Sequence, residues 1–478
     1  MSARPLWTLD EMAAAMRAEG RGVLPAAITG ISIDSRTVAP GEAYFAIKGD
    51  VHDGHAFVDA ALKAGAALAV VDAAQRDQFA LEAPLLIVED VLAALRDLAR
   101  ASRARLAAPV IAVTGSVGKT STKEALRGVL GAQGNTHVSV ASFNNHWGVP
   151  LSLARCPADA CFAVFEIGMN HAGEITPLVK LARPHVAIIT TVEPVHLEFF
   201  SGVEAIADAK AEIFEGVEPG GAVVLNRDNA QFARLRERAR KLGIAKIVTF
   251  GADEKADARL LDVALHPAGS AVHAEILGHE LTYKLGMPGR HMAMNSLAVL
   301  VAALLAGADL ALAGLALSQA QPAAGRGVRR ALAVPGGEAI LIDESYNANP
   351  ASMAAALNVL GAAGAGVGTR GRRIAVLGDM LELGPRSADL HRGLTEAINA
   401  NDVDMIFCCG PLMRNLWNAL SSGRRGGYAE NSAALESQVT AAIRSGDVIM
   451  VKGSLGSRMK VIVTALEKRY SGSAAEIP

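Results

Sequence analysis

Residues 114–121 read Thr-Gly-Ser-Val-Gly-Lys-Thr-Ser, a spacing of glycine, lysine and threonine suited to holding phosphate. Backbone amides at the start of a helix point at an anion, a lysine adds a mobile charge, and the hydroxyl beside it can ligate magnesium. The usual ATPase loop has a glycine five places before its Gly-Lys-Thr. Here that place is Val113, and the nearer glycine is Gly115. The compact loop therefore assigns Gly115, Ser116, Val117, Gly118, Lys119, Thr120 and Ser121 to phosphate, with Lys119 reaching the β- and γ-phosphates and Thr120 the metal. The competing reading is a glycine-rich turn with a solvated lysine. Context separates the two: "APVIAV" before the loop is a short, β-branched, buried strand, and "STKEALRGVL" after it has helical periodicity.

A nucleotide-triphosphate site needs a carboxylate for its metal. Glu166 closes the apolar strand "FAVFE" and is the first candidate, although a glutamate at a strand end can equally be a surface residue. His196, in "EPVHLEFF", follows another apolar strand. Taken by itself it reads as a structural histidine or as a ligand. Lys210, in "DAKAEIF", reads from its own surroundings as an exposed helix residue.

At 478 residues the chain exceeds what one core normally supports, so about two to four domains are expected. With 51% hydrophobic and 20% charged residues the composition is that of a soluble globular protein. A net charge of -2 gives no general attraction to nucleic acid or anionic lipid. The N-terminal stretch lacks the apolar core of a signal peptide. Residues 297–318 are apolar but split by Gly307 and Asp309, too short a run to span a bilayer, and read as a buried helix, a turn and a second helix. Cys156, Cys161, Cys408 and Cys409 have no metal-ligand spacing and read as buried, reduced thiols. A monomeric cytoplasmic protein without stable membrane insertion is expected.

Three α/β patterns follow one another, with junctions near 88 and 323 and a linking helix at about 89–107. In the middle pattern, "CFAVFEIGMN", "VAIITTVEP" and "GAVVLNRD" are apolar strands ending in polar residues, as in a parallel sheet with ligands at its carboxyl edge. The third repeats this in "EAILIDESYNANP", "RIAVLGDM", "DMIFCCG" and "GDVIMVKGS". The Gly-rich segment 361–373 reads as a mobile loop with solvated arginines.

Together "TGSVGKTS", "FEIGMNHAGEI", "VHLEFF", "DAKAEIF", "GRHMAMN", "DESYNANP" and "VKGS" resemble the Mur ligase family of ATP-dependent amide-forming enzymes. Within that family, "SIDSRTVAPGEAYFAIKG", "SFNNHWGVP" and "LGDMLELG" resemble the member that adds D-alanyl-D-alanine to UDP-N-acetylmuramoyl-tripeptide. The resemblance implies three domains: a small N-terminal α/β domain for the UDP-sugar (1–88), a central mononucleotide-binding parallel sheet with its phosphate loop (89–322), and a C-terminal Rossmann-like α/β domain for the amine (323–478). It implies ATP and magnesium as cofactors, with an acyl phosphate on the path to the amide. By the same resemblance Thr120 and Glu166 hold one magnesium and His196 a second, while Lys210 carries a carbamate that helps bind metal, so Lys119, Lys210, His196 and Glu166 form the catalytic set. Asn295 corresponds to a contact to adenine, Asp343 to the ribose and Arg326 to the γ-phosphate. Asn144 and Asn145 fall on the nucleotide-sugar side, Ser35 and Arg36 grip the UDP, and Tyr346, Asn347 and Asn349 shape the amine site.

Two departures stand out. The family's His-Asn before the adenine asparagine is His291-Met292 here, and its Lys-Gly-Ser-Arg is Lys452-Gly453-Ser454-Leu455. Arg458, three places on, either replaces the missing guanidinium or is a helix surface charge. Among rivals, the diaminopimelate-adding member carries an Asp-Asn-Pro-Arg motif that this sequence lacks, and folate polyglutamate ligase shares the ATP core without the "SIDSR" domain. In a GTPase reading, "LNRD" (225–228) places Arg227 where a guanine-reading lysine belongs.

Overall fold

The computed structural model describes residues 5–49, 51–363 and 371–470. Three principal sheets succeed one another along the chain. The first, five-stranded, runs Glu19–Arg21, Leu85–Val88, Leu68–Asp72, Glu42–Phe45 and Gly30–Ser32, parallel except for its first edge strand. The helix Val91–Arg105, capped by Asp90 through the amide of Ala93 (2.6 Å), leads from it to the central sheet. The Asp90 cap satisfies an amide that the helix itself leaves unpaired.

The central sheet has nine strands in the order His279–Leu285, Gly269–Ile276, Ala258–His266, Lys246–Gly251, Ala222–Asn226, Val186–Ile189, Val110–Thr114, Phe162–Glu166 and Thr136–Val138. The six strands from Lys246–Gly251 to Thr136–Val138 are parallel, and Ala258–His266 joins them parallel before the sheet turns antiparallel. Val110–Thr114 is buried at every position, as a parallel strand covered on both faces must be. One face carries the helix Arg290–Leu305, whose Leu297 to Ala303 are wholly buried. The other carries Val91–Arg105, Ile175–Ala182 and Val203–Ala211.

The apolar run at 297–318 falls where its sequence placed a helix, a turn and a helix: Arg290–Leu305, then Leu310–Leu317 with Asp309 as cap. Among the described residues no helix is long and apolar enough to cross a membrane. The antiparallel extension at 258–285 was not visible in the strand-to-helix pattern.

The third sheet has six strands: Val328–Val334, Gly337–Glu344, Val448–Lys452, Arg373–Gly378, Met405–Cys409 and Arg425–Ala429, parallel from the second onward. Cys408 and Cys409 lie in its core and Cys156 is buried, but Cys161 is exposed, contrary to expectation. Of the Gly-rich segment 361–373, residues 364–370 lie outside the described residues. Its last two arginines are held by specific partners: part-exposed Arg372 chelates Asp447 (2.6 Å), and Arg373 is buried with its guanidinium on the carbonyl of Asn401 (2.7 Å).

Candidate active site

A cleft of about 680 Å³ opens between the carboxyl edge of the central sheet and the third unit. Its floor is the loop after Val110–Thr114. Gly115 (φ 149°) and Gly118 (φ 86°) occupy backbone conformations that side chains avoid, and both sit against neighbours. A Cβ on Gly115 would fall 1.9 Å from Thr190 Oγ1, and one on Gly118 2.7 Å from Asn295 Nδ2. Gly118 starts the helix Lys119–Gly131, so the loop amides converge at a helix N-terminus.

Lys119 folds back to donate to the carbonyl of Gly115 at 2.7 Å. Burial holds its pKa below the usual lysine value, Glu166 opposes that shift and Arg326 adds to it. Thr120 Oγ1 donates to Glu166 Oε2 at 2.9 Å, and Asn144 Nδ2 to Glu166 Oε1 at 2.7 Å. Glu166 is 1% exposed, so the surface-residue reading of this glutamate fails. The register Glu166↔Val113 places it beside the loop, at the same sheet edge.

Lys123 escaped the sequence reading. It is fully buried, with Nζ donating to the carbonyls of Ser139 (2.8 Å) and Ala141 (2.5 Å), pairing with Glu124 (2.9 Å) and lying 4.0 Å from Glu166. It ties the segment bearing Asn144 to the strand end that carries Glu166. Its spacing four residues after Lys119 is the signal that could have found it, since both then share one face of the helix.

Lys210 departs from the exposed position its helix suggested. It is 2% exposed, and among the described residues its Nζ has no hydrogen-bond or ion-pair partner, although its backbone carbonyl accepts from the amide of Glu212. Burial drives its pKa well below the ordinary lysine value, and the nearby charge of Lys119 lowers it further. The alanines around it in "ADAKAEIF" leave little side-chain bulk to signal which face is inside.

His196 lines the cleft and pairs through Nδ1 with Glu382 Oε2 of the third unit at 2.6 Å. The third unit also contributes Arg326, whose guanidinium lies over the Tyr346 ring at 4.2 Å, and Lys452, which donates to Glu344 (3.1 Å) and to the carbonyl of Asn347 (3.0 Å). His291 is pushed down in pKa by burial; Glu344 opposes this and Lys452 reinforces it. Glu193, half-buried in the same cleft, is pushed up by burial.

The cleft gathers residues 116–121, Glu166, His196, Asn295, Arg326, Asn144, Tyr346, Asn347 and Asn349. Other expected residues lie elsewhere. Asp343 is buried and accepts from Lys460 (2.9 Å) and Ser345 (2.6 Å), while the adjacent Glu344 faces the cleft, because successive strand side chains point to opposite faces. Asn145 Oδ1 accepts from the amide of Gly148 (2.9 Å), at the start of the helix Gly148–Ala154. Asn349, although at the cleft, also caps its helix through the amide of Ser352 (2.9 Å). Ser35 and Arg36 stand in the first unit, outside the cleft lining, with Arg36 chelated by Asp34 (2.7 and 2.9 Å). Leu455 lines the cleft and Arg458, exposed, does not. In "LNRD", Asp228 caps the turn at Ala252 (2.7 Å) and Arg227 pairs with Asp253 (2.7 Å), a structural use of those residues. Among the described residues no three His, Cys, Asp or Glu side chains converge as a protein-only metal cage.

Three family models match consecutive stretches of the chain. Residues 27–103 match the Mur ligase family catalytic domain, 113–303 the Mur ligase middle domain, and 329–455 the Mur ligase glutamate ligase domain. The UDP-N-acetylmuramoyl-tripeptide–D-alanyl-D-alanine ligase of Escherichia coli is 33% identical over 465 residues, covering 96% of this chain and 98% of the relative. That of Bacillus subtilis is 32% identical, covering 92% and 93%. A crystal structure of MurF from Acinetobacter baumannii superposes with a TM-score of 0.83 at 29% identity, over 98% of this chain and all of that one. MurF ligase from Thermotoga maritima in complex with ADP gives 0.74 at 26% identity, over 92% and 98%. With this likeness extending through all three sheets, the chain belongs to the Mur ligase family.

Proposed function

We propose that the protein is the ATP-dependent ligase that joins D-alanyl-D-alanine to UDP-N-acetylmuramoyl-tripeptide, yielding the pentapeptide, ADP and phosphate. The observation that carries this reading is the buried Thr120–Glu166 pair beside Lys119, faced across one cleft by Arg326 and Lys452 of the third unit. The three sheets are read as domains at 1–88, 89–322 and 323–478, with the loop 115–121 as the nucleotide's phosphate cradle.

The tripeptide carboxylate attacks the γ-phosphoryl group, ADP leaves, and the amine of D-alanyl-D-alanine displaces phosphate from the resulting acyl phosphate. Such transfer depends mainly on positioning and on compensating negative charge. The loop amides hold the β-phosphate at the helix N-terminus. Lys119 exchanges its bond to the Gly115 carbonyl for phosphate oxygen, regaining a counter-charge for its buried ammonium. Arg326 approaches from the opposite wall. Asn295, seated against Gly118, bounds the adenine side, and Glu344 rather than Asp343 presents a carboxylate to the ribose.

The hydroxyl of Thr120 and the carboxylate of Glu166 fit magnesium, which takes hard oxygen ligands, retains waters and uses one or two carboxylates together with substrate phosphates. Thr120 and Glu166 would hold one ion, and by the family resemblance His196 would hold a second. When bound, magnesium screens the crowded anions. Lys210 is suited to carbamate formation: its neutral Nζ adds to the carbon of carbon dioxide and releases a proton to solvent. The anion so formed would give Lys119 a partner. Ser35 and Arg36 are read as the UDP grip, Asn144 and Asn145 as the sugar-side wall, and Tyr346, Asn347 and Asn349 as the amine side.

The test is phosphate release with UDP-N-acetylmuramoyl-tripeptide and each candidate amine in turn. Turnover with D-alanyl-D-alanine supports the assignment, and equal turnover with free diaminopimelate or glutamate would sink it.

A further inference from the structure

We infer that Glu382 of the third unit is the positioning residue for His196 of the central unit, fixing which imidazole nitrogen faces the cleft. The inference rests on reading His196 as a magnesium ligand. The two residues stand 186 positions apart and follow strands of different sheets, yet His196 Nδ1 and Glu382 Oε2 are 2.6 Å apart. A carboxylate only accepts, so in the neutral ring the proton sits on Nδ1 and the lone pair on Nε2. A histidine metal ligand needs that lone pair, and a carboxylate on the other ring nitrogen is the usual means of directing it.

The backbone supports an orienting role. His196 (φ 55°) and Glu382 (φ 63°) both adopt left-handed conformations without being glycine. Conformers of this kind are disfavoured for residues with a side chain and persist only where the surroundings determine them. Here the surroundings are each other's loops. The amide of Glu198 donates to the carbonyl of Glu382 at 3.3 Å, and a Cβ on Gly384 (φ 57°) would come within 3.3 Å of Glu198 Cα. Stability does not explain the pairing: with side chains 22% and 43% exposed, a solvent-accessible contact of this kind adds little to folding. What it adds is ring orientation, and only while the third unit is seated against the central one. The unit that brings the amine would thereby complete the geometry of a ligand in the other.

The experiment is nitrogen-15 histidine NMR of the magnesium-free full-length protein, with His196 assigned by its absence in His196→Ala. It is run on wild type, Glu382→Gln and Glu382→Ala alongside kcat and KM. The expected result is an Nδ1–H tautomer in wild type that shifts toward Nε2–H in E382A, with kcat lowered about 10–100-fold and KM for ATP little changed. E382Q, which keeps an acceptor, should fall between. An Nε2–H ring in wild type, or E382A with unchanged tautomer and kcat while H196A is inactive, would overturn the inference alone. Full activity in H196A would instead remove the ligand reading beneath it, and the inference with it.

Discussion

A Cβ on Gly115 would sit 1.9 Å from the hydroxyl of Thr190, which itself donates to the carbonyl of Val117 at 2.6 Å. This contact explains why the loop needs its glycine at 115. Val113, where longer ATPase loops carry theirs, is wholly buried inside the strand Val110–Thr114. Gly115→Ala should displace the loop and lower ATP affinity about tenfold or more while the protein stays folded, since strain of this kind is worth roughly 1–3 kcal/mol. Val113→Gly, which restores the longer spacing, should destabilise by about 3 kcal/mol through lost burial and backbone freedom and give no gain in ATP affinity. Isothermal titration with ATP and urea melts check both; tighter ATP binding by V113G would contradict the account of the loop.

Lys119→Ala should leave the fold intact and reduce turnover roughly 10²-fold or more, the cost of deleting a preorganised charge from a transferring group. A folded variant with near-normal rate would show that the cleft floor is not the phosphate site.

Lys210 gives a prediction in which stability and activity move in opposite directions. Its folded-state pKa is lowered by burial and by Lys119, so the unfolded chain binds the proton more tightly. Stability of the carbon-dioxide-depleted protein should therefore rise with pH from the depressed folded value up to the ordinary lysine value of 10.5. Lys210→Met should lose that slope and raise Tm at neutral pH while abolishing most turnover. Formate should restore part of the activity of Lys210→Ala by placing a carboxylate in the vacated space. An unchanged pH slope in K210M, or full wild-type activity without carbon dioxide, would refute the carbamate.

Lys123→Met removes a buried cation from two carbonyls and two carboxylates, which should cost about 3 kcal/mol in a urea melt. Lys123→Arg, too large for the site, should also fall in activity through displacement of Asn144 and Glu166. A K123M protein as stable as wild type would mean that the carbonyls of Ser139 and Ala141 find other donors.

The legible parts of the molecule were those fixed by local pattern. The strand before the loop, the helix pair within 297–318, the linking helix near 89–107 and the strand-end carboxylate Glu166 all follow from periodicity, glycine placement and residue type. What sequence could not show was decided by tertiary packing. Lys210 is buried because other elements close over a small-residue helix, and Lys123 because a distant segment supplies its carbonyls. The pairing of Glu382 with His196 joins two sheets. At 343–344 the strand alternation decides between adjacent acids, and that phase becomes visible only once the faces of the sheet are known.

The most direct measurement is coupled product analysis: ADP, phosphate and amide formed by the full-length protein with ATP, magnesium, UDP-N-acetylmuramoyl-tripeptide and D-alanyl-D-alanine, and with each omitted in turn. The account predicts one phosphate and one pentapeptide per ATP, with sustained turnover only when all are present. Sustained ATP consumption independent of D-alanyl-D-alanine, or amide formed equally well with another amine, would contradict it.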